Sequence, residues 1–456
     1  MTFSRFDIVV WSAALFLVGL ITLVIFMGSQ VSLEIVAFTP ALDASAVSTQ
    51  SQIRVTFDDA LAAVPETAVS LSPPISGTTT INNNTLTFVP DTPFAANKSY
   101  QITINAGIEG EQGRELQEAV TWEFQTSEPR ILYLRVDQEN PNQIFVAYPN
   151  EDLPPHPLTQ QTTDVLDFKP SPDSSMVIYA VAGADETQPG AANLWLINTD
   201  GSNPHTILEC PDAACTRPIW MADNQRIIYE RRNIPVLGAA PGNPRLWLLD
   251  VTTGETLPLF QDSQQLGLFA SVSPDGQWLS YVAPTEQGIQ LYNLENGRSL
   301  FIPNRMSLAA HWSPDSQHIA VADIITTEQD WGVVLSSLDI NSEESTLLSR
   351  EENVDDNYPV WSPDGKQIAF GRKEARTAMG RQIWLMQADG SAATPLTGET
   401  NIHHAEYSWS PNGRFILFQQ YNLEELYTQP NIAFIDVHTG AKTELTSSAT
   451  QPAWLP

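Results

Sequence analysis

Six polar side chains stand where this chain could do chemistry: Asp167, Arg217, His311, Asp356, His404 and Glu406. Each lies a few residues ahead of an apolar or aromatic position that recurs through the C-terminal two thirds, at Pro170, Trp220, Trp312, Trp361 and Trp409. A carboxylate near an imidazole can act as acid and base, and a guanidinium can grip an anion through two parallel hydrogen bonds. His403 and His404 with Glu406 are also metal-ligand types, but such pairs are usually incidental, and no metal or other cofactor is expected.

The compact signatures of catalysis are missing from the sequence. There is no G-x-S-x-G elbow, no H-E-x-x-H and no phosphate-binding loop. No residue is therefore given a catalytic role, although active sites assembled from separate repeats would leave no such signature. The elements that position the six side chains are more legible than the chemistry.

Tyr358 to Phe370, YPVWSPDGKQIAF, reads as strand, turn and strand. Proline presets φ at the first corner of the turn, aspartate tolerates the next, and glycine takes the left-handed position that closes a hairpin. Copies lead from positions 170, 220, 272, 312, 361 and 409, and a last one starts at Trp454, at spacings of 40 to 52 residues. That is the period of a four-stranded propeller blade. A second signature, an apolar strand ending in a polar turn, recurs at Leu194 to Gly201, Leu246 to Gly254, Leu291 to Gly297, Ile383 to Gly390 and Ala433 to Gly440.

One unit is split across the chain. Ile131 to Arg135, Ile144 to Tyr148 and the stretch ending at Thr159 lack a lead strand, and Pro452 to Trp454 lacks the rest of its unit. Pairing the two ends closes a ring and leaves no long open sheet edge. The expectation is an all-β chain with a β-propeller of seven blades over 129–456, or six if one degraded unit is a linker.

Strand alternation then sorts the loops of that ring. The tight SPDG and DG turns share one face; the longer insertions and the connections between blades share the other. Those connections deliver Asp167, Arg217, His311, Asp356, His404 and Glu406 near the mouth of the central channel, where binding residues are commonly carried. The repeated tryptophans are expected to be core, and the turn aspartates to be turn formers rather than metal ligands.

Ahead of the repeats, 32–128 shows alternating strands at Ile53 to Phe57, Thr85 to Val89, Tyr100 to Ile104 and Val120 to Thr126, which suits a small β-sandwich. Before it, Ile8 to Met27 is twenty residues without a charge, long enough at 1.5 Å per residue to cross the ~30 Å core of a bilayer. An uncleaved transmembrane helix over 8–27 is preferred to a signal peptide, whose apolar region is shorter. Arg5 before the span, with no lysine or arginine until Arg54 beyond it, leaves 1–7 as a short cytoplasmic tail and the bulk of the chain outside the cell membrane.

The net charge of −31 argues against nucleic acid as a partner, since binding it relies on clustered lysine and arginine. Cys210 and Cys215 are the only cysteines. Outside the cytosol they are expected to close a small disulfide worth ~2 kcal/mol at most, with two free thiols as the alternative.

Trp361 to Phe370 and Ile383 to Gly390 resemble the TolB-type propeller repeats, also called PD40 or WD40-like, almost letter for letter. Ile53 to Asp58, Leu86 to Tyr100, Gly107 to Leu116 and the closing WEFQT at Trp122 resemble the bacterial Ig-like domain of the SbsA type. The family's Asp-x-x-Gly-Asn is replaced here by Gly110 to Arg114, so no bound cation is implied in that loop. The first resemblance implies a channel mouth that receives a peptide or small ligand. Together these readings point to a membrane-anchored extracytoplasmic binding or scaffold protein that engages a protein or peptide of the cell envelope. The alternative is a propeller hydrolase or lyase acting on envelope glycans or peptides.

Overall fold

The computed structural model describes residues 17–19 and 32–455, apart from 48, 50, 66, 150–152, 186–188, 235–241, 327–330, 350–353, 375–378 and 426–428. The span expected over 8–27 therefore lies outside the described residues except at 17–19. No helix among the described residues is long and apolar enough to cross a membrane. The chain divides into two compact units, Met1–Ser127 and Glu128–Pro456.

In the first unit, alternation does what a half-buried strand requires. Ile53, Val55 and Phe57 turn inward from Ile53–Phe57 while Arg54 and Thr56 are only partly covered. Ile35–Thr39, Ile53–Phe57, Thr85–Pro90 and Gly77–Asn82 form one sheet; Ala44–Val47, Val120–Thr126, Ser99–Ile104 and Val69–Ser72 form the other. Their inner faces share a core that includes Phe57, Leu86, Tyr100, Ile102, Trp122 and Phe124. In the loop where no cation was expected, Arg114 reaches Asp58 at 2.6 Å and Asp59 at 3.5 Å, so a guanidinium supplies positive charge beside both carboxylates.

The second unit is built from successive groups of four antiparallel strands. Five groups lie between residues 165 and 395, and their first strands are Val165–Pro170, Ala213–Trp220, Leu268–Val272, His311–Trp312 and Val354–Trp361. A sixth group runs from Ile402–Trp409 to Lys442–Thr446. The last group draws on both ends of the chain: Ala449–Leu455 pairs with Arg130–Arg135, followed by Gln143–Ala147 and His156–Pro157. Ile131 faces Trp454 and Leu132 faces Ala453 in that register. First strands pack against one another from group to group, and Ala449–Leu455 meets both Ile402–Trp409 and Val165–Pro170, so the ring is closed.

The repeated turn is held by its own side chains. Ser362 Oγ donates to Asp364 Oδ1 at 2.7 Å and accepts from the Gln367 N–H at 2.9 Å, while Asp364 Oδ1 also accepts from the Lys366 N–H. The same box closes at Ser171, Ser273, Ser313 and Ser410. Gly365 takes φ of +69°, and the copies lacking glycine put Ser174, Asn224 and Ser316 in the same left-handed region. The aspartates are occupied in turns, as their spacing suggested.

The tryptophans join neighbouring groups. Trp220, Trp312, Trp409 and Trp454 are buried, and each indole N–H donates to a main-chain oxygen of the preceding group: Lys169, Ser271, Val360 and Ser408, at 3.0 to 3.3 Å. An indole N–H has no acceptor role and must find a partner when buried, so this bond fixes the ring's depth between sheets. Trp361 is the exception: its Nε1 is closed off without a partner.

Candidate functional site

The first strands of the ring carry a repeated defect. Pairing register shifts between Thr216 and Ile219, Leu268 and Ser271, Asn357 and Val360, Ala405 and Ser408, and at the strand holding Gln451. At each shift one residue adopts a left-handed backbone: Arg217, Phe269, Tyr358, Glu406 and Gln451, with φ between 50° and 52°. A β-bulge frees a residue from the ladder and re-aims its side chain, and such conformations are uncommon for bulky residues. Arg217, Phe269, Tyr358 and Glu406 are exposed although their strand neighbours Pro218, Pro359 and Tyr407 are buried. Bulging thus turns one side chain toward the axis of the ring in these five groups, three residues ahead of the lead position.

Side chains of the preceding group take up several of the freed N–H groups. Asp167 Oδ2 accepts from Arg217 N at 2.9 Å, Glu230 Oε1 from Phe269 N at 2.8 Å, and Gln419 Oε1 from Gln451 N at 3.1 Å. Gln451 Nε2 in turn donates to the Leu166 oxygen at 3.0 Å, which links the last group to the first. Arg217 pairs with Glu230 at 3.1 Å, and its guanidinium lies 4.6 Å from the Phe269 ring centroid.

One tier deeper along the same strands sit Lys169, Ile219, Ser271, His311, Val360 and Ser408. The Lys169 charge acts on Asp167, His311 and Glu406, which come from three different groups. Residues so far apart in the ring meet only across its axis. Burial pushes the Asp167 carboxyl up to about 6 against the opposing Arg217 N–H, and pushes Glu406 upward as well. Burial also drives His311 down to about 4, with Lys169 adding to the effect. Asp167 Oδ1 and His311 Nε2 are closed off with no hydrogen-bond partner.

The sequence-predicted residues therefore divide. Asp167, Arg217, His311 and Glu406 line the axis. Asp356 and His404 do not: they stand five residues ahead of their lead tryptophans, at the position held elsewhere by Val165, Cys215, Gly267 and Ala449, all buried. That position packs between sheets. Asp356 is bound by Arg372 through two 2.8 Å contacts, with both side chains buried, and the guanidinium lies 4.6 Å from the Trp384 ring centroid. His404 Nδ1–H donates to the Arg381 oxygen at 3.0 Å and its ring meets Phe418 edge to face. Asp356 and His404, expected near the channel mouth, are thus buried between sheets.

Reading only for polar side chains missed Phe269, Tyr358, Gln451 and Lys169. Counting back three positions from every lead residue would have found the first three, because the bulge repeats with the motif. No group of three histidine, cysteine or acidic side chains among the described residues is arranged to hold a metal. Cys210, in the connection ahead of the second group, is bonded to Cys215 in that group's first strand, and both are buried.

Residues 244–456 match the TolB beta propeller domain, and residues 29–126 the bacterial Ig-like domain. An uncharacterized protein of Agrobacterium fabrum is 29% identical over 161 residues, 34% of this chain and 50% of that protein. The Tol-Pal system protein TolB of Francisella tularensis is 23% identical over 206 residues, 43% of this chain and 44% of that protein. The chain thus spans half or less of the length of these relatives. Among solved structures, a Mycobacterium tuberculosis puromycin-hydrolyzing peptidase superposes with a TM-score of 0.51 at 11% identity, covering 72% of this chain and 54% of the peptidase. That last likeness is one of fold.

Proposed function

We infer, for a chain that carries a TolB-type β-propeller behind a bacterial Ig-like domain, that it is a binding or scaffold protein whose channel mouth seats a protein or peptide of the cell envelope. The strand groups are read as seven blades, the seventh completed by Ala449–Leu455. The Ig-like module is read as a spacer behind a membrane anchor at 8–27, with 28–456 on the extracytoplasmic side. The apolar length of that segment and the kinship with a Tol-Pal component support this placement.

The observation that carries the binding reading is the bulge series. Phe269 and Tyr358 are 39% and 38% exposed in the middle of a rigid sheet scaffold, held out by strained backbone beside charged neighbours. Strain concentrated at one repeated, solvent-facing position is a pointer to function, and exposed aromatics are what binding sites use as anchors. A hydrolase or lyase using His311 and His404 as a pair is not favoured, because His404 is packed against Phe418 at the inter-sheet position.

The test is crosslinked capture of envelope proteins from intact cells by the full chain and by a Phe269→Ala, Tyr358→Ala, Glu406→Gln variant. Loss of the captured band with unchanged thermal melting is expected. An undiminished band would remove the mouth from consideration.

A further inference from the structure

The side chains at the mouth are not spread evenly around it. In ring order the bulge position and its equivalents hold Asp167, Arg217, Phe269, Ala309, Tyr358, Glu406 and Gln451. One arc is aromatic with a gap, since Ala309 places a methyl group between the Phe269 and Tyr358 positions. Beneath it lie Ser271, His311 and Val360, with His311, held neutral by burial, under the Ala309 gap. The opposite arc is acidic and amide-bearing, with an exposed Glu406, Gln451, and Asp167 whose Oδ1 has no partner.

The charges on that side favour a cation. Arg217 is paired with Glu230 and also opposes part of the Asp167 charge, but it does not act on Glu406, which is the carboxylate left for a cation. Desolvation by the surrounding ring raises both carboxyls above their ordinary range against the opposing Lys169 charge, a cost that a further positive charge at the mouth would relieve. Lys169 sits a tier deeper and would stop a cation from passing further down. The chain's net charge of −31 adds long-range attraction for basic partners and repels acidic ones.

We propose that the channel mouth recognises a protein segment offering a basic side chain next to an apolar one. The ammonium or guanidinium lies on the Glu406 and Asp167 side, and the apolar side chain fills the notch over Ala309 between Phe269 and Tyr358. This rests on the reading of the mouth as a protein- or peptide-binding site and names the class of partner it takes.

The test uses the full chain in detergent micelles and acetylated, amidated, fluorescein-labelled peptides of sequence GKFGKFG, GEFGEFG and GKSGKSG, read by anisotropy. The lysine–phenylalanine peptide is expected to bind and to weaken as salt rises, with the other two weaker by at least about tenfold. Glu406→Gln should weaken it about tenfold, and Ala309→Trp, which fills the notch, should abolish it. Equal binding of the glutamate peptide, no effect of Glu406→Gln, or no binding of any peptide up to about 1 mM overturns the proposal. Crosslinked capture separates this from the broader reading. If Ala309→Trp, with unchanged melting, abolishes capture while Glu406→Gln does not, the mouth binds a partner of another class; if Ala309→Trp leaves capture intact, the mouth itself is wrong.

Discussion

The indole N–H of Trp409 donates to the main-chain oxygen of Val360 at 3.0 Å, across forty-nine residues of chain and from one four-stranded group to the next. Its counterpart at the end of the chain, Trp454, makes the same bond to Ser408. These bonds place the first strands side by side around the axis, and so set where each bulge aims its side chain.

Replacing Trp409 by alanine should destabilise by about 3 to 5 kcal/mol, and by phenylalanine less, with the lost hydrogen bond accounting for about 1 kcal/mol. Urea denaturation of the two variants measures the split. A phenylalanine variant as stable as the parent would mean that the indole N–H contributes nothing.

Truncation after Ser448 removes the strand that pairs with Arg130–Arg135. The exposed edge of Ile131 to Leu134 is buried in the intact ring and should recruit other chains once bare. Light scattering should show aggregates, and a monodisperse product would argue that closure is dispensable.

Asp356 and Arg372 form a buried pair. Asp356→Ala removes the carboxylate from a buried guanidinium and should cost about 3 to 5 kcal/mol, whereas Asp356→Leu with Arg372→Met should recover most of it. Thermal melting of the single and double variants decides between a structural pair and a ligand group, since only the structural role predicts recovery.

His404 and His311 are held neutral, each lowered to about 4. For His404 burial leads, opposed by the Arg381 carbonyl and Glu399, while Lys442 and His403 reinforce it. Between pH 6.5 and 4 the unfolded chain binds more protons than the folded one, so stability falls as pH falls through that window. Asp167, raised to about 6, acts in the opposite direction between its ordinary value and 6. His404→Gln should therefore lose less melting temperature than the parent between pH 7.5 and 4.5, and an identical loss would show that His404 does not contribute.

The repeated turn was legible in the sequence because its conformation is local: Ser362, Asp364 and Gly365 satisfy one another within four residues. The pairing of the two chain ends was legible too, since the fragment around Trp454 lacked what Ile131 to Thr159 supplied. The bulges were not, because a one-residue register shift leaves the apolar alternation nearly unchanged while reversing the side chain that faces the axis. Polarity alone treated Asp356 and Glu406 alike, two positions apart in successive repeats.

The sequence by itself determined the repeat, its period, its turns and the need for a closing strand, all of which follow from short-range backbone preferences and apolar spacing. Which side chains look into the channel was decided only by tertiary structure. That outcome depends on how neighbouring sheets pack: five residues ahead of most leads the chain is pressed between sheets, where Asp356 is neutralised by Arg372, and three ahead it is bulged into the open in five groups, where Phe269, Tyr358 and Glu406 meet solvent.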